Sequence, residues 1–470
     1  MSGVLVRRLL PLFLCSLLSP FASAQQLTPV QSELRDIYRE LVEINTTDSS
    51  GSCTLAAQAM AARLGAAGFP ASDRQIIVPP GNAKKGNLVA RYKGSGAKQP
   101  LLLLAHIDVV EVKREDWKRD PFKLTEEDGR FHARGAADDK AMAAAFVANL
   151  IRYRRESFRP ERDLVVALTC DEEIIPSDFN GVQYLLKNHR AMIEAELALN
   201  EGGGGQLDKA GQRVRLSIQA GEKVFQSYRL EVTNAGGHSA QPRKDNAIYH
   251  LAGGLARLGA FDFPPKLLPV TRAYFDKLSG ILSGQVSADI KAMLREPPDE
   301  AAIARLSQNP SYNAQLRTTC VATMANAGEA TNALPQLAQA VVNCRVLPGD
   351  SVAEVQGTLV RVLANEKISV KPMGEATLSP PSPLTAMIMG PVQSIAAQMW
   401  PGVPLVPSMS AGATDSRFLN NAGIPTYGIS GMFNNPETSN VHGSNESLPV
   451  RSLYEGQEFL YRLVRALAGG

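Results

Sequence analysis

Leu101-Leu102-Leu103-Leu104-Ala105-His106-Ile107-Asp108 is the stretch that decides how the rest of the chain is read. Five consecutive apolar residues run straight into a histidine and, two places on, an aspartate. An apolar run this short and unbroken suits a strand covered on both faces, as in a largely parallel sheet between helices. The preceding residues agree. Gln31–Ile44 places Leu34, Ile37, Tyr38, Leu41, Val42 and Ile44 at helical spacing, Thr54–Gly65 is an Ala-rich second helix, and Gln75–Val78 and Asn87–Tyr92 read as strands. Downstream come a helix over Ala136–Arg152, a buried strand over Leu164–Thr169, a helix over Val182–His189 and a strand over Glu196–Leu199. Strands alternating with helices predict an α/β layer.

Past the glycine run at Gly202–Gly205 the pattern changes. Val224–Val232, Thr318–Met324, Leu337–Val346 and Ile368–Pro372 read as strands, with helices over Asn246–Leu258 and Val352–Leu363. The order β-α-β-β-α-β is that of the ferredoxin-like α+β unit. It is interrupted by Asp262–Gln315, where Pro264, Pro265, Pro269, Pro297, Pro298 and Pro310 mark a helical, loop-rich insertion. Pro380-Pro381-Ser382-Pro383 is a linker, followed by helices over Met387–Met399 and Leu453–Leu467 and a strand over Thr426–Ile429. The expectation is a discontinuous α/β domain, residues 25–221 and 377–470, with a smaller domain, 222–376, inserted and carrying the helical segment 262–315.

Arg7-Arg8, the apolar run Leu9–Leu18 and Ala22-Ser23-Ala24 have the order of a secretory signal peptide over residues 1–24. The run is shorter than the roughly 20 residues a membrane span needs. The expectation is a secreted or periplasmic protein with no membrane span after cleavage. With 44% hydrophobic and 20% charged residues, the 470-residue chain is neither disordered nor a coiled coil. Its 49 Lys+Arg against 46 Asp+Glu leave no electrostatic footprint for nucleic acid. Beyond the signal segment, Cys53, Cys170, Cys320 and Cys344 are too few for a disulfide scaffold. Cys320 and Cys344 fall in stretches able to pair as antiparallel strands, either as a disulfide or as buried thiols.

Five polar sites follow the ends of buried elements. His106 with Asp108 suits an imidazole bound to metal and a carboxylate that orients it. Asp138-Asp139 opens a helix, where acids serve the helix N-terminus or bridge two cations. Cys170-Asp171-Glu172-Glu173 sits at the carboxyl end of an apolar strand, where open α/β sheets bind ligands. Adjacent glutamates point different ways, so one can hold metal while the other moves protons. Asn200-Glu201 precedes glycines that lack the Lys-Ser/Thr ending of a phosphate loop. His442 lies in a polar loop. Singly, each has a plainer structural role. Together, two histidines and three acids form a mixed N/O set suited to zinc and closer to a co-catalytic than a structural site. Glu172 can act as base, His238 as an oxyanion donor, and Arg345 and Arg417 can hold a carboxylate.

The strings HIDVV (106–110), GAADDK (135–140), TCDEE (169–173), NEGGG (200–204), GGHSAQP (236–242), ATNALP (330–335), NCRVLPGD (343–350), GATDSRF (412–418) and NVHGSNE (440–446) carry a resemblance. In their order and spacing the chain resembles the di-zinc aminoacylase and carboxypeptidase family, most of all its Gly-Xaa carboxypeptidase and secreted N-acyl-amino-acid hydrolase branch. The resemblance implies a zinc-exopeptidase catalytic domain with a ferredoxin-like lid, and two Zn²⁺ per chain with Co²⁺ or Mn²⁺ as substitutes. It implies that Asp138 bridges the ions, with His106 and Glu201 completing one site and Glu173 and His442 the other. Glu172 would be the general base and Asp108 the partner of His106. His238 would reach the reacting carbonyl, in dimers from the other subunit. Asn332, Arg345, Gly412 and Arg417 would hold the substrate's terminal carboxylate. The implied activity is hydrolysis of the amide bond beside a C-terminal or N-acylated amino acid, by a monomer or homodimer acting on small peptides or N-acyl amino acids. A non-catalytic periplasmic peptide-binding homologue and a one-metal enzyme are the alternatives.

Overall fold

The structure, a computed structural model, describes residues 26–470, so the signal-peptide reading lies outside the described residues. No helix among the described residues is long and apolar enough to cross a membrane.

The Leu101–His106 strand is buried throughout and lies inside a ten-stranded sheet. It runs parallel to Leu164–Thr169 on one side and Leu197–Asn200 on the other, and Thr426–Gly428 continues the parallel set. Alternate side chains of the apolar run serve different layers, which is why the run is continuous. Leu101, Leu103 and Ala105 join the core beneath the helices Pro29–Glu43, Cys53–Ala66, Lys140–Arg155 and Val450–Ala468. Leu102 and Leu104 pack on the opposite face with Val182, Leu185, Phe418 and Leu419. The strand Asn87–Tyr92 is antiparallel and carries Arg74–Ile77 outside it. On the far side, the sheet extends through Arg213–Glu222, Gly205–Leu207 and Phe433–Asn434, with Leu405–Ser410 beside Arg213–Glu222.

The second sheet is the ferredoxin-like unit. Its antiparallel order is Thr319–Ala327, Leu337–Val346, Val224–Thr233, Ser369–Met373, so the first and third strands of the unit lie at the centre. The helices Ala247–Gly259 and Val352–Leu363 contribute Leu251, Leu258, Val355 and Leu359 to a core of its own. The proline-rich interruption forms four helices, Pro269–Ile281, Gly284–Met293, Glu300–Ser307 and Pro310–Leu316, around Phe275, Leu278, Ile290 and Leu306. The first of these helices packs against the Leu405–Ser410 strand of the large sheet, and Leu268 and Val270 enter the large core. The fold is thus α/β, discontinuous, with a ferredoxin-like α+β unit inserted.

One reading changes, and of the two alternatives for Cys320 and Cys344 the disulfide is the one present. Helix Lys140–Arg155 begins four residues later than its alanines suggest: residues 134–139 form a turn, in which the amides of Gly135, Ala137 and Asp138 bond to the Glu446 carboxylate. The four cysteines among the described residues are all bonded: Cys320 to Cys344, on strands in register, and Cys53 to Cys170 across 117 residues. The strand Arg213–Glu222 was not foreseen, since its apolar residues are interspersed with Arg213, Arg215 and Gln219.

Candidate metal centre

Parallel strands all present their carboxyl ends to one edge of the sheet, and here those ends carry the acids and a histidine. His106 closes its strand, Asp171–Glu173 follow Thr169, and Glu201 follows Asn200. Two loops bring the rest: the turn ending at Asp138-Asp139, and the loop bearing His442. Ligand atoms of His106, Asp138 and Glu201 lie within 4.8 Å of one another, as do those of Asp138, Glu173 and His442. Asp138 belongs to both groups and offers one oxygen to each. His106 Nε2 is 3.0 Å from Asp138 Oδ1, and His442 Nε2 is 3.1 Å from Asp138 Oδ2 and 2.9 Å from Glu173 Oε1.

Asp108 organises two of these elements at once. Its backbone carbonyl lies 3.1 Å from His106 Nδ1; a proton donated there leaves Nε2 to face the acids. Its buried carboxylate accepts the amides of Glu172 at 3.3 Å and Glu173 at 3.1 Å, so one side chain sets the path of the acidic loop. Glu446 does the same for the other side. Its oxygens accept from Gly135, Ala137 and Asp138 amides and from Arg134 Nη1 at 2.7 Å, tying the His442 loop to the Asp138 turn.

Bonds from His106 and His442 outweigh burial and hold the Asp138 carboxyl low, while its neighbours are pushed upward. Burial, reinforced by Glu172 and Asp138, pushes the Glu201 carboxyl well above the usual range. Burial also raises Glu172 well above it, aided by Asp415 and Glu173 against the pull of His106. Asp139 is raised likewise, and its Oδ2 is buried without a partner. Bonds to Asp138 and Glu173 push His442 up to about 10. No lysine or arginine bonds to Glu201 or Glu172 among the described residues. Crowded, underpaired carboxylates with two imidazoles, converging on two points that share Asp138, fit a pair of divalent cations.

The residues expected to bind substrate are placed less tightly. Arg417 stacks over Phe418 at 4.4 Å and Arg345 over Phe225 at 4.8 Å, and burial with the Arg417 charge lowers Arg345 from its usual value. Neither guanidinium has an acidic partner within 4 Å among the described residues, although the Arg417 charge acts on the buried Glu222 and Asp415. Exposed Gly412 donates to Ser410 Oγ at 3.0 Å. His238 and Asn332 are neighbours on a two-stranded ribbon, Gly237–His238 with Ala333–Leu334, where the Ser239 amide donates to the Asn332 carbonyl. Both are exposed, and His238 Nδ1 accepts from the Ala240 amide. Neither bonds to the acidic cluster. The reading from residues missed Glu446, Asp415 and Glu222. Glu446 and Asp415 lie within quoted strings, but their burial is visible only in three dimensions.

Residues 102–466 match the model of peptidase family M20/M25/M40. The mouse N-fatty-acyl-amino acid synthase/hydrolase PM20D1 is 29% identical over 395 residues, 82% of this chain and 77% of its own length. The Dictyostelium discoideum probable carboxypeptidase S-like 2 is 29% identical over 394 residues, 81% of this chain and 74% of its own. In fold, the chain is similar to the M20 family metallo-carboxypeptidase Sso-CP2 from Sulfolobus solfataricus, with TM-score 0.66 at 20% identity over 93% of this chain and 99% of that one. The Bacillus subtilis YXEP protein, titled a dinuclear metal binding peptidase, matches with TM-score 0.57 at 14% identity over 93% and 98%. The chain is therefore a member of peptidase family M20/M25/M40, a hydrolase of peptide or acyl-amide bonds.

Proposed function

We propose that the chain is a zinc-dependent exopeptidase or acylase, cleaving the amide bond next to a C-terminal or N-acylated amino acid. The observation that carries this is the Asp138 carboxylate shared between two ligand groups, beside a buried Glu172 that belongs to neither. His106, Asp138 and Glu201 would hold one ion, and Asp138, Glu173 and His442 the other. When bound, two zinc ions supply Lewis-acid polarisation of the scissile carbonyl and acidify the attacking water. Glu172 takes the proton of that water and delivers it to the leaving nitrogen as the C–O bond forms and the C–N bond breaks. Asp108 is a positioning residue, since it fixes the Glu172 amide and the His106 ring. Arg345, Arg417 and the Gly412 loop receive the substrate's free carboxylate through bidentate contacts. His238 and Asn332 reach the carbonyl when the ferredoxin-like unit acts as a lid or when a second copy presents its ribbon. Export to a periplasmic or extracellular compartment belongs to the same reading, and relatives named as an N-fatty-acyl-amino acid hydrolase and a carboxypeptidase support its substrate class.

Glu172→Gln tests the assignment, with zinc counted by elemental analysis. The expected outcome is two ions per chain and a kcat lower by about 10²–10⁴-fold. Near-normal turnover in that variant, or one ion per chain in the active wild type, overturns it.

A further inference from the structure

Two cavities that share no lining residue bear on the site. One, lined by Ile174, Phe225 and Arg417, lies on the side of the proposed carboxylate anchors. The other, of about 570 Å³, begins at Asp138 and Glu201 and continues past Met142 and Met432 to a wall supplied by Tyr274 and Gln315 of the helical insertion. That volume lies within the range of small-molecule sites. This second cavity is lined by two of the proposed ligands and by none of the proposed carboxylate anchors, so it is available to the acyl side of a substrate whose free carboxylate sits at Arg417.

Among the described residues, Arg215 is the only basic side chain lining that cavity. It sits in register with Gln206 on the strand Arg213–Glu222. Its strand neighbour Arg213 is held by Glu455 at 2.6 and 2.8 Å. Arg215 has no such partner: among the described residues it makes no ion pair and no side-chain hydrogen bond, and its Nε is buried without an acceptor. A guanidinium that is partly desolvated and unpaired is unfavourable until an anion meets it, and its planar fork matches a carboxylate.

We infer that this cavity is the subsite for the acyl side of the substrate, and that Arg215 selects acyl groups bearing a second carboxylate. The inference rests on the proposed orientation with the amino-acid carboxylate at Arg417. Two sources share that chemistry, a dicarboxylic acyl group and an acidic amino-acid residue.

N-glutaryl-leucine and Glu-Leu place a carboxylate at the same distance from the scissile carbonyl, differing by the α-ammonium group. Their neutral counterparts are N-pentanoyl-leucine and Gln-Leu. On the zinc-loaded full chain, kcat/KM for at least one acidic member exceeds that of its counterpart by about 10–100-fold, the worth of a charge-assisted hydrogen bond, with the difference in KM. Which pair shows the larger ratio identifies the source. Arg215→Gln reduces the ratio towards one. Equal rates within both pairs, or a preference for N-pentanoyl- and N-lauroyl-leucine over the acidic members, overturn the subsite. No cleavage of any member overturns the proposed exopeptidase or acylase reading as well.

Discussion

Glu222 illustrates what single residues do beyond the acidic cluster. It lies where the chain leaves the large sheet for the small one, with no exposed surface, and accepts from the Thr414 amide at 2.8 Å, Thr414 Oγ1 at 3.0 Å and Ser379 Oγ at 3.1 Å. It thereby joins the outgoing crossing, the returning crossing and the loop that carries Gly412 and Arg417. Burial raises its pKa from 4.5 to about 7, against the bonds from Thr414 and the charge of Arg417. The sign follows from linkage. Between about pH 4.5 and 7 the unfolded chain releases a proton that the folded chain keeps, so this group's contribution to stability falls as pH rises, then levels off. The urea-derived stability of wild type minus that of Glu222→Gln should therefore decline across that window, by at most about 1.4 kcal/mol per pH unit. A difference that grows with pH contradicts the assignment. At this scale His106, Glu172, Glu173 and Glu201 were legible because each follows an apolar strand. Glu222 was not, since it closes a strand of mixed polarity and its partners lie 157 and 192 positions away.

Among the elements, the run Gly202–Gly205 has a steric reason. Gly202 has φ +105°, which side-chain-bearing residues rarely adopt. A Cβ on Gly203 would lie 2.1 Å from the Gly428 carbonyl oxygen, and one on Gly205 would lie 2.1 Å from Phe433 Cγ. The glycines let the backbone after Glu201 pass directly against the strands Thr426–Gly428 and Phe433–Asn434. This agrees with the exclusion of a phosphate loop made from the missing Lys-Ser/Thr ending. Gly203→Ala should lower stability by about 3 kcal/mol or more, because the atom in its way is backbone and cannot rotate aside. Gly204→Ala, whose Cβ would meet Ser430 Oγ at 3.0 Å, should cost less, and chemical denaturation of the two variants gives the comparison. Equal midpoints would refute the close-approach argument. Element types were legible wherever periodicity was strong, as in Leu164–Thr169 and Val352–Leu363, which the structure reproduces end to end. They were illegible where a distant side chain intervened, as Glu446 does at the start of Lys140–Arg155.

For the whole molecule, the Cys53–Cys170 disulfide fastens the helix Cys53–Ala66 to the residue preceding the acidic loop. It closes 117 residues, against 24 for Cys320–Cys344. Restricting the unfolded chain is worth about 4.7 kcal/mol for a loop near 100 residues and about 3 for a 15-residue loop. The paired change Cys53→Ala and Cys170→Ala should therefore destabilise the protein more than the same change at Cys320 and Cys344, as urea unfolding under non-reducing conditions will show; the reverse order would count against the loop-length account. The sequence by itself determined the α/β class, the inserted β-α-β-β-α-β unit and the five ligand candidates, because hydrophobic period and strand-end polarity are local properties of the chain. Only the tertiary structure decided that Cys53 meets Cys170, that Glu446 holds the Asp138 turn and that Arg215 stands unpaired in a cavity. Each of these depends on which distant segments share one sheet edge, and burial of a charge has no signature in the residues beside it.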